Sequence, residues 1–361
     1  MDFLFIKGDD TQDVRMSKYI ACLSEMKHNV SFWGWDRKNN SPKDVRLCKC
    51  RYLYRGGGFG GNVAFRYPIW MVKLFFAMLF SSELNRNEIV AVNFDVALPV
   101  YIACILRRKK YVYEILDEFA LSYKFPKIIK KMLSWIDHCI MRNAKLVIHV
   151  DENRVTYEHC NHIVIENAPE DYWHGKDRDY KTLQNTFAVV GCLAEGRGIK
   201  SICDFVANNE QVHLLVVGTF WDAQTEARVK AMPRVKCLAK MPQQDLFKVM
   251  EECCAIFSLY DPSLEINRLA ASNKVYDAMM MGIPVITNKE VINSEYIKEN
   301  GVGIVVDYVY NNSWDVLAER DFKEKAIVIG KAGRKLYLEK YQFHAMLEQR
   351  FLPALHDVQT K

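Results

Sequence analysis

Residues 260–288 read YDPSLEINRLAASNKVYDAMMMGIPVITN. Ser272, Asn273 and Lys274 stand just ahead of a helical pattern that ends at Gly282, with Pro284 opening the next apolar run. Serine is a good N-cap, and a glycine closes a helix well. The spacing predicts a helix that begins near Ser272. Its first turn would present backbone N–H groups at the positive end of the helix dipole, and Lys274 would add a full charge. That combination suits a diphosphate. Asp277, one turn further in, is placed to face a sugar or ribose hydroxyl. Three residues from Lys274, it is equally placed to form a surface ion pair with it.

Such a turn needs a strand to deliver it and another to follow. Short apolar runs alternate with helical patterns along the whole chain. Strand candidates are 2–6, 30–33, 89–94, 111–116, 146–150 and 163–166, then 186–192, 213–217, 234–238, 255–259, 284–287 and 303–306. Helical patterns include 13–27, 96–106 and 126–143. This alternation predicts α/β architecture with doubly wound parallel sheets. A chain of 361 residues exceeds one ordinary core. The pattern restarts near 185 after a polar stretch. The expected division is a first domain at 1–169, a linker at 170–184, a second domain at 185–340, and a helix at 341–361 that crosses back to the first. Ligands are expected at the carboxyl ends of the strands, in the cleft between the domains.

Half the residues are hydrophobic and 26% are charged. That excludes disorder, a collagen-like repeat and a disulfide scaffold. The 11 cysteines are scattered, with a CxC at Cys48 and Cys50 and an adjacent pair at Cys253 and Cys254. No paired CxxC knuckles occur, so free thiols in a reducing cytoplasm are the reading, and no metal site is expected. The start, MDFLFIKGDD, lacks the features of a signal peptide. Charge is uneven. Residues 1–150 carry 24 Lys and Arg against 14 Asp and Glu, or +10; the remaining 25 against 30 leave −5. The first half is therefore expected to meet something anionic. No nucleic-acid motif accompanies this charge, so no nucleic-acid partner is expected.

Two stretches bear on a membrane partner. Residues 67–80, YPIWMVKLFFAMLF, are too few to span a bilayer, which needs about 20 apolar residues. A core helix and a helix lying in the membrane interface are both open. Lys124, Lys127, Lys130 and Lys131 fall on one helical face, interleaved with Ile128, Ile129, Met132, Leu133, Trp135 and Ile136. An anionic membrane surface suits that pattern, and a solvated helix face is the alternative. The run 55–61, RGGGFGG, reads as a loop near the cleft or as a plain surface loop.

The frame D-A-M-M-M-G-I-P-V-I from Asp277 resembles the GT-B nucleotide-sugar glycosyltransferases, and among them glycosyltransferase family 4 of the bacterial surface-polysaccharide type. That family carries E-x7-E ahead of A-x-x-x-G-x-P-V-I. Asp277 occupies the second acidic position. The first holds Leu269, and the nearest acid is Glu265. The carboxylate near the donor sugar is thus missing, displaced, or supplied by Glu265. FAVVGCLAEGRGIK (187–200) resembles the first strand of the family's donor domain, with Gly191 in its strand, Arg197 at the usual Lys position and Cys192 replacing the usual Arg. The resemblance implies that Arg197 and Lys274 neutralise the leaving diphosphate; a solvated helix-start residue is the other reading of Arg197. HLLVVG (213–218) resembles the second donor-domain strand with its glycine turn at Gly218. Gly8 matches the family's glycine near the donor phosphate. Asp117 and Glu118 stand where the family places acceptor-side polar groups, Asp117 with a catalytic part, and Arg15 opens the helix on the same side.

The resemblance implies two Rossmann-like domains facing across a cleft. It implies transfer of a hexose, with retention, from a UDP-type nucleotide sugar to a lipid-linked saccharide or polysaccharide. Catalysis would rest on Asp277, Glu265 and Asp117, with no metal or other cofactor. The protein would be cytoplasmic and peripheral at the inner face of the plasma membrane. Two alternatives stand beside this: a nucleotide-sugar epimerase on the same architecture, and a catalytically degenerate protein that binds a sugar nucleotide or a partner.

Overall fold

The computed structural model describes residues 1–37, 39, 44–45, 47–57, 63–122, 125–155, 157, 159–174, 185–269 and 272–357. The chain forms two compact units. Unit 1 is Met1–Asn167 with Phe343–Lys361, and unit 2 is Ala168–Gln342. Of the stretch read as a linker, 175–184 lies outside the described residues, as does most of the glycine run after Gly57.

In unit 1 the strands are β1 Asp2–Lys7, β2 Asn29–Asp36, β3 Asp44–Val45, β4 Cys48–Arg55, β5 Glu88–Val92, β6 Val112–Ile115, β7 Leu146–His149 and β8 His162–Val164. They form one sheet in the order β3-β4-β2-β1-β5-β6-β7-β8, parallel except for β3 against β4. Phe3, Leu4, Phe5 and Ile6 are all fully buried, as a central strand covered on both faces requires. The main helices are α1 Val14–Glu25, α2 Val63–Phe80, α3 Phe94–Leu106 and α4 Lys127–Asn143. Asp13 starts α1 by accepting from the N–H groups of Arg15 and Met16. In α2, Trp70, Leu74 and Met78 recur every fourth residue and are buried, with Trp70 stacked on Trp35 at 6.2 Å.

Two differences from the sequence reading matter. Strand β4 was not expected, because CKCRYLYR has no continuous apolar run; it lies beside the edge with one face exposed. The strand expected at 89–94 stops at Val92. Asn93 takes a left-handed φ of +67° and turns the chain straight into α3.

Unit 2 holds β9 Thr186–Leu193, β10 His213–Phe220, β11 Val235–Ala239, β12 Ala255–Ser258, β13 Val285–Asn288 and β14 Gly303–Val306, all parallel, in the order β11-β10-β9-β12-β13-β14. Its helices include α5 Ile199–Asn208, α6 Asn273–Met281 and α7 Phe322–Leu336. Phe187 anchors the core, its ring 5.5 Å from Phe257 and 5.3 Å from Phe322. Ser272 caps α6 by accepting from the Lys274 N–H, and Gly282 closes it in the left-handed conformation.

Both sheets are doubly wound. In unit 1 strand order reverses between β1 and β5, and in unit 2 between β9 and β12. Crevices open at the carboxyl ends of the strands at such points.

Unit 1 also contains a buried ion pair. Arg15 donates to Glu114 Oε1 through Nε at 2.8 Å and Nη2 at 2.6 Å, and the Tyr19 hydroxyl donates to the same oxygen at 2.7 Å. Arg15 also donates to the carbonyls of Ile165 and Glu166, tying α1 and β6 to the chain beyond β8. Glu114→Gln is expected to lower the unfolding free energy by about 3–5 kcal/mol, because it leaves Arg15 buried without its counter-charge. Urea titration of the full chain checks this, and a loss below about 1 kcal/mol would contradict it.

Candidate functional site

The crevice of unit 2 is a cavity of about 190 Å³ at the ends of β9 and β12 and the start of α6. Gly191 and Gly218 pair in register across β9 and β10. A Cβ on Gly218 would lie 1.9 Å from the Gly191 carbonyl oxygen, so the two strands approach closely here only because residue 218 is glycine. Nothing stands within 4 Å of a Cβ built on Gly191, which leaves its backbone bare to the cavity.

Three elements bring polar groups to this wall. Arg197, in the turn between β9 and α5, lies with its guanidinium carbon 4.2 Å from the centre of the Tyr260 ring. Tyr260 is pinned in turn by buried Asn288, which accepts from its N–H at 2.9 Å and donates to its carbonyl at 3.1 Å. Ser258 donates to the Ser272 hydroxyl at 2.7 Å and so fixes the cap of α6. Lys274 completes the wall, its Nζ 2.7 Å from Asp277 Oδ2. The result is two cations and a helix N-terminus on one crevice, a combination that attracts a polyanion.

The crevice of unit 1 is a second cavity, of about 220 Å³, at the ends of β1, β5 and β6. Lys7, Gly8, Asp9, Arg37, Asp95 and Asp117 are among the residues on it. Asp95, in the first turn of α3, is 8% exposed, and its Oδ2 has no hydrogen-bond partner. Close by, the Trp70 indole N–H eases ionisation of this carboxyl.

No protein-family model matches the chain, and no curated protein matches its sequence. Solved structures do match. Sucrose-phosphate synthase from Thermosynechococcus elongatus superposes with a TM-score of 0.73 at 14% identity, covering 100% of both chains. WaaG, a glycosyltransferase involved in lipopolysaccharide biosynthesis, superposes at 0.65 and 12% identity, again over 100% of both. A putative UDP-N-acetylglucosamine 2-epimerase from Listeria monocytogenes follows at 0.60 and 11%, covering 100% of this chain and 97% of its own. At these identities the likeness shows the fold alone. The chain has the GT-B fold.

Of the residues expected to bind a donor, Gly191, Arg197, Ser272, Asn273 and Lys274 come together on the unit-2 cavity. Gly218 supports β9 from the neighbouring strand. Gly8 and Asp117 instead share the unit-1 cavity, where Asp117 is paired with Arg154 at 2.9 Å. Glu118 stands half-buried beside them in sequence, its carboxyl pushed up by burial. Asp277 does not open onto the cavity. At 2% exposure it accepts from Lys274 Nζ and Gln243 Nε2, so it positions Lys274 rather than reaching a sugar or ribose. Arg15 requires a correction. It was expected to face an acceptor, but its guanidinium is buried on Glu114, which stands on the interior strand β6, and on two carbonyls.

Glu265 opens a short helix, Glu265–Arg268, and its side chain lies outside the described residues. Leu269 borders a separate hollow with Arg268 and Lys289. Lys124 also lies outside the described residues; Lys127 and Lys131 are exposed and Lys130 is half-buried. Among the described residues, no group of three or more His, Cys, Asp or Glu could hold a metal ion, and no helix is long and apolar enough to cross a membrane. Sequence reading missed Asp95, Trp70 and Asn288. The available signal was polar Asn93 and Asp95 at a strand end followed by a helix.

Burial pushes the Asp95 carboxyl up to about 6, against the pull of the Arg37 guanidinium. An ordinary Asp titrates near 4. The folded chain therefore holds this proton more tightly than the unfolded one. The resulting stabilisation is complete below about pH 4 and is lost as pH rises through about 6. Asp95→Asn removes this dependence. Its unfolding free energy relative to wild type is expected to rise by roughly 2–3 kcal/mol between pH 4 and pH 7. Urea titrations at the two pH values check this, and a difference independent of pH would contradict it.

Proposed function

We propose that the chain is a hexosyltransferase-type glycosyltransferase, close in kind to glycosyltransferase family 4, and that the unit-2 cavity holds the diphosphate of a UDP-sugar. The observation that carries this reading is the convergence of Arg197, Lys274 and the capped start of α6 on the bare backbone of Gly191. These groups fit a diphosphate, and they fit better still the charge that grows on it as the sugar leaves. The bond from the anomeric carbon to the phosphate oxygen breaks while the acceptor oxygen bonds to that carbon on the same face. The acceptor's proton passes to the departing phosphate, so configuration is retained without an enzyme base. Asp277 holds Lys274 in place for this step.

The proposed acceptor is a lipid-linked saccharide or growing polysaccharide at an anionic membrane surface. Unit 1 supports this. Helix α3 packs on both α2 and α4. The outward face of α2 leaves Phe65, Ile69, Val72, Phe76 and Phe80 exposed, Phe80 by 79%. On α4, Ile128 is 83% and Trp135 67% exposed beside Lys127, Lys130 and Lys131. Helix α2 is thus a core helix on one side and bare apolar surface on the other. Apolar side chains flanked by lysines match a surface of anionic headgroups. The epimerase reading is weaker, because among the described residues no His or carboxylate lines the unit-2 cavity.

Nucleotide release from a panel of sugar nucleotides, with and without lipid-linked acceptors, tests the reading. Arg197→Ala and Lys274→Ala are each expected to lower turnover by about 10²–10³-fold, with the fold kept. Near-normal turnover in both would end the assignment, and acceptor-independent inversion at C2 of UDP-N-acetylglucosamine would mark an epimerase.

The protein is expected to sediment with vesicles of phosphatidylglycerol and to be released by salt. Each lysine near the surface contributes about 1 kcal/mol. Reversing Lys127, Lys130 and Lys131 to Glu should therefore abolish sedimentation while UDP binding persists. Sedimentation unaffected by the reversals would show a merely solvated helix.

A further inference from the structure

We propose that Tyr260 is a positioning residue of the unit-2 cavity: its ring carries the Arg197 guanidinium and fixes it on the cavity wall, while leaving its charge and its N–H donors free for a diphosphate. This deepens the proposed function and rests on it for the identity of the ligand.

The first argument is how Arg197 is held. Its guanidinium carbon lies 4.2 Å from the centre of the Tyr260 ring, and both residues line the cavity. Among the described residues, no carboxylate pairs with this guanidinium and no carbonyl accepts from it. The acids nearest in sequence are engaged elsewhere. Glu195 Oε1 lies 3.7 Å from Arg228, and Asp261 Oδ1 accepts from the Ser263 N–H at 2.9 Å. Arg15 and Arg334 also lie over aromatic rings, but each is paired with a carboxylate as well, Glu114 and Asp171. Lys274, the other cation of the cavity, is paired with Asp277.

The difference bears on binding. A carboxylate holds a cation by cancelling its charge and occupying its donors, so it competes with an anionic ligand. An aromatic ring attracts a guanidinium through its quadrupole and carries no net charge. Arg197 therefore keeps for the ligand what Lys274 shares with Asp277.

The second argument is the fixing of the platform. Asn288, fully buried on β13, binds both backbone groups of Tyr260. The next residue, Asp261, donates its N–H to the Gly196 carbonyl at 2.9 Å, which ties the loop after β12 to the turn Glu195–Arg197. Tyr308, after β14, holds that turn again, its hydroxyl donating to the Glu195 carbonyl at 3.2 Å. The turn closes at Gly198, φ +69°, where a Cβ would lie 2.7 Å from Leu259 Cδ1; glycine lets it settle on the same loop. Ring and guanidinium are thus set before a ligand arrives, and little freedom is lost on binding. The Tyr260 hydroxyl makes no hydrogen bond among the described residues, so the ring is the part the site uses.

The test titrates UDP into the full chain by calorimetry and follows the Arg197 Nε–H proton by NMR, assigned by its loss in Arg197→Ala. Tyr260→Leu is expected to weaken UDP binding about tenfold, the size of one partly desolvated cation–π contact. Tyr260→Phe should restore wild-type affinity. In the Arg197→Ala background, Tyr260→Leu should cost nothing further, because the ring acts through the guanidinium. In wild type and Tyr260→Phe the Nε–H resonance should lie upfield of its free-arginine position, by the ring current of residue 260. Should Tyr260→Leu fail to fold, Tyr260→Met takes its place, with the same outcomes. An equal loss in both backgrounds, a loss in Tyr260→Phe as large as in Tyr260→Leu, or a wild-type resonance at the free-arginine position overturns the proposal. If UDP fails to bind wild type, the donor reading falls, and the Tyr260 platform stands or falls on the resonance alone.

Discussion

Both cavities exist because strand order reverses once in each sheet. From β1 the chain builds outward through β2 to β4, then returns to lay β5 on the other side; from β9 it does the same through β10 and β11 before β12. Right-handed crossovers send the helices on the two sides of the reversal to opposite faces of the sheet, so the loops leaving adjacent strand ends diverge. The gap cannot be filled by the backbone, and whatever side chains stand at those strand ends face it. The chemistry of each unit is therefore set by a few positions: Gly8 with Asn93 and Asp95 in unit 1, and Gly191 with Arg197 and Ser272–Lys274 in unit 2.

The two sets differ in kind. Unit 2 gathers cations and a helix N-terminus, with the Asp277 carboxylate folded under Lys274. Unit 1 gathers carboxyls around cations that are already engaged: Lys7 with Asp13 at 2.7 Å, and Arg37 with the Gly8 carbonyl and the Tyr67 hydroxyl. A polyanion is the ligand that the unit-2 environment favours. The supporting structure is rigid where it must be. Asn288 fixes Tyr260 beneath Arg197, and Asn93 fixes Asp95 at the cost of backbone strain.

Much of this was legible in the sequence. Strands buried on both faces, such as FAVVG in β9, announce themselves as continuous apolar runs, and Ser272 and Gly282 bracket α6 as capping chemistry requires. What was hidden depends on tertiary packing. Strand β4 lies next to the sheet edge, and its alternation of Lys, Arg and Tyr does not stand out. Arg15 was read as a site residue through the family resemblance, at the opening of the helix after the first strand, yet its partner, Glu114, is 99 residues away. Asp277 looked like a ligand-facing acid, but the local i,i+3 geometry gave it to Lys274. Asp95 was passed over between a strand read as ending at 94 and a helix read as starting at 96, because only the turn at Asn93 brings it to the cavity.

The central claim is that the crevice beside β9 holds a nucleoside diphosphate. Hydrogen–deuterium exchange of the full chain with and without UDP tests it most directly. The account predicts slowed exchange confined to unit 2, at residues 191–198 and 272–276, with residues 7–9 and 93–97 unchanged. Protection at the unit-1 segments instead, or no protection at saturating UDP, would contradict it.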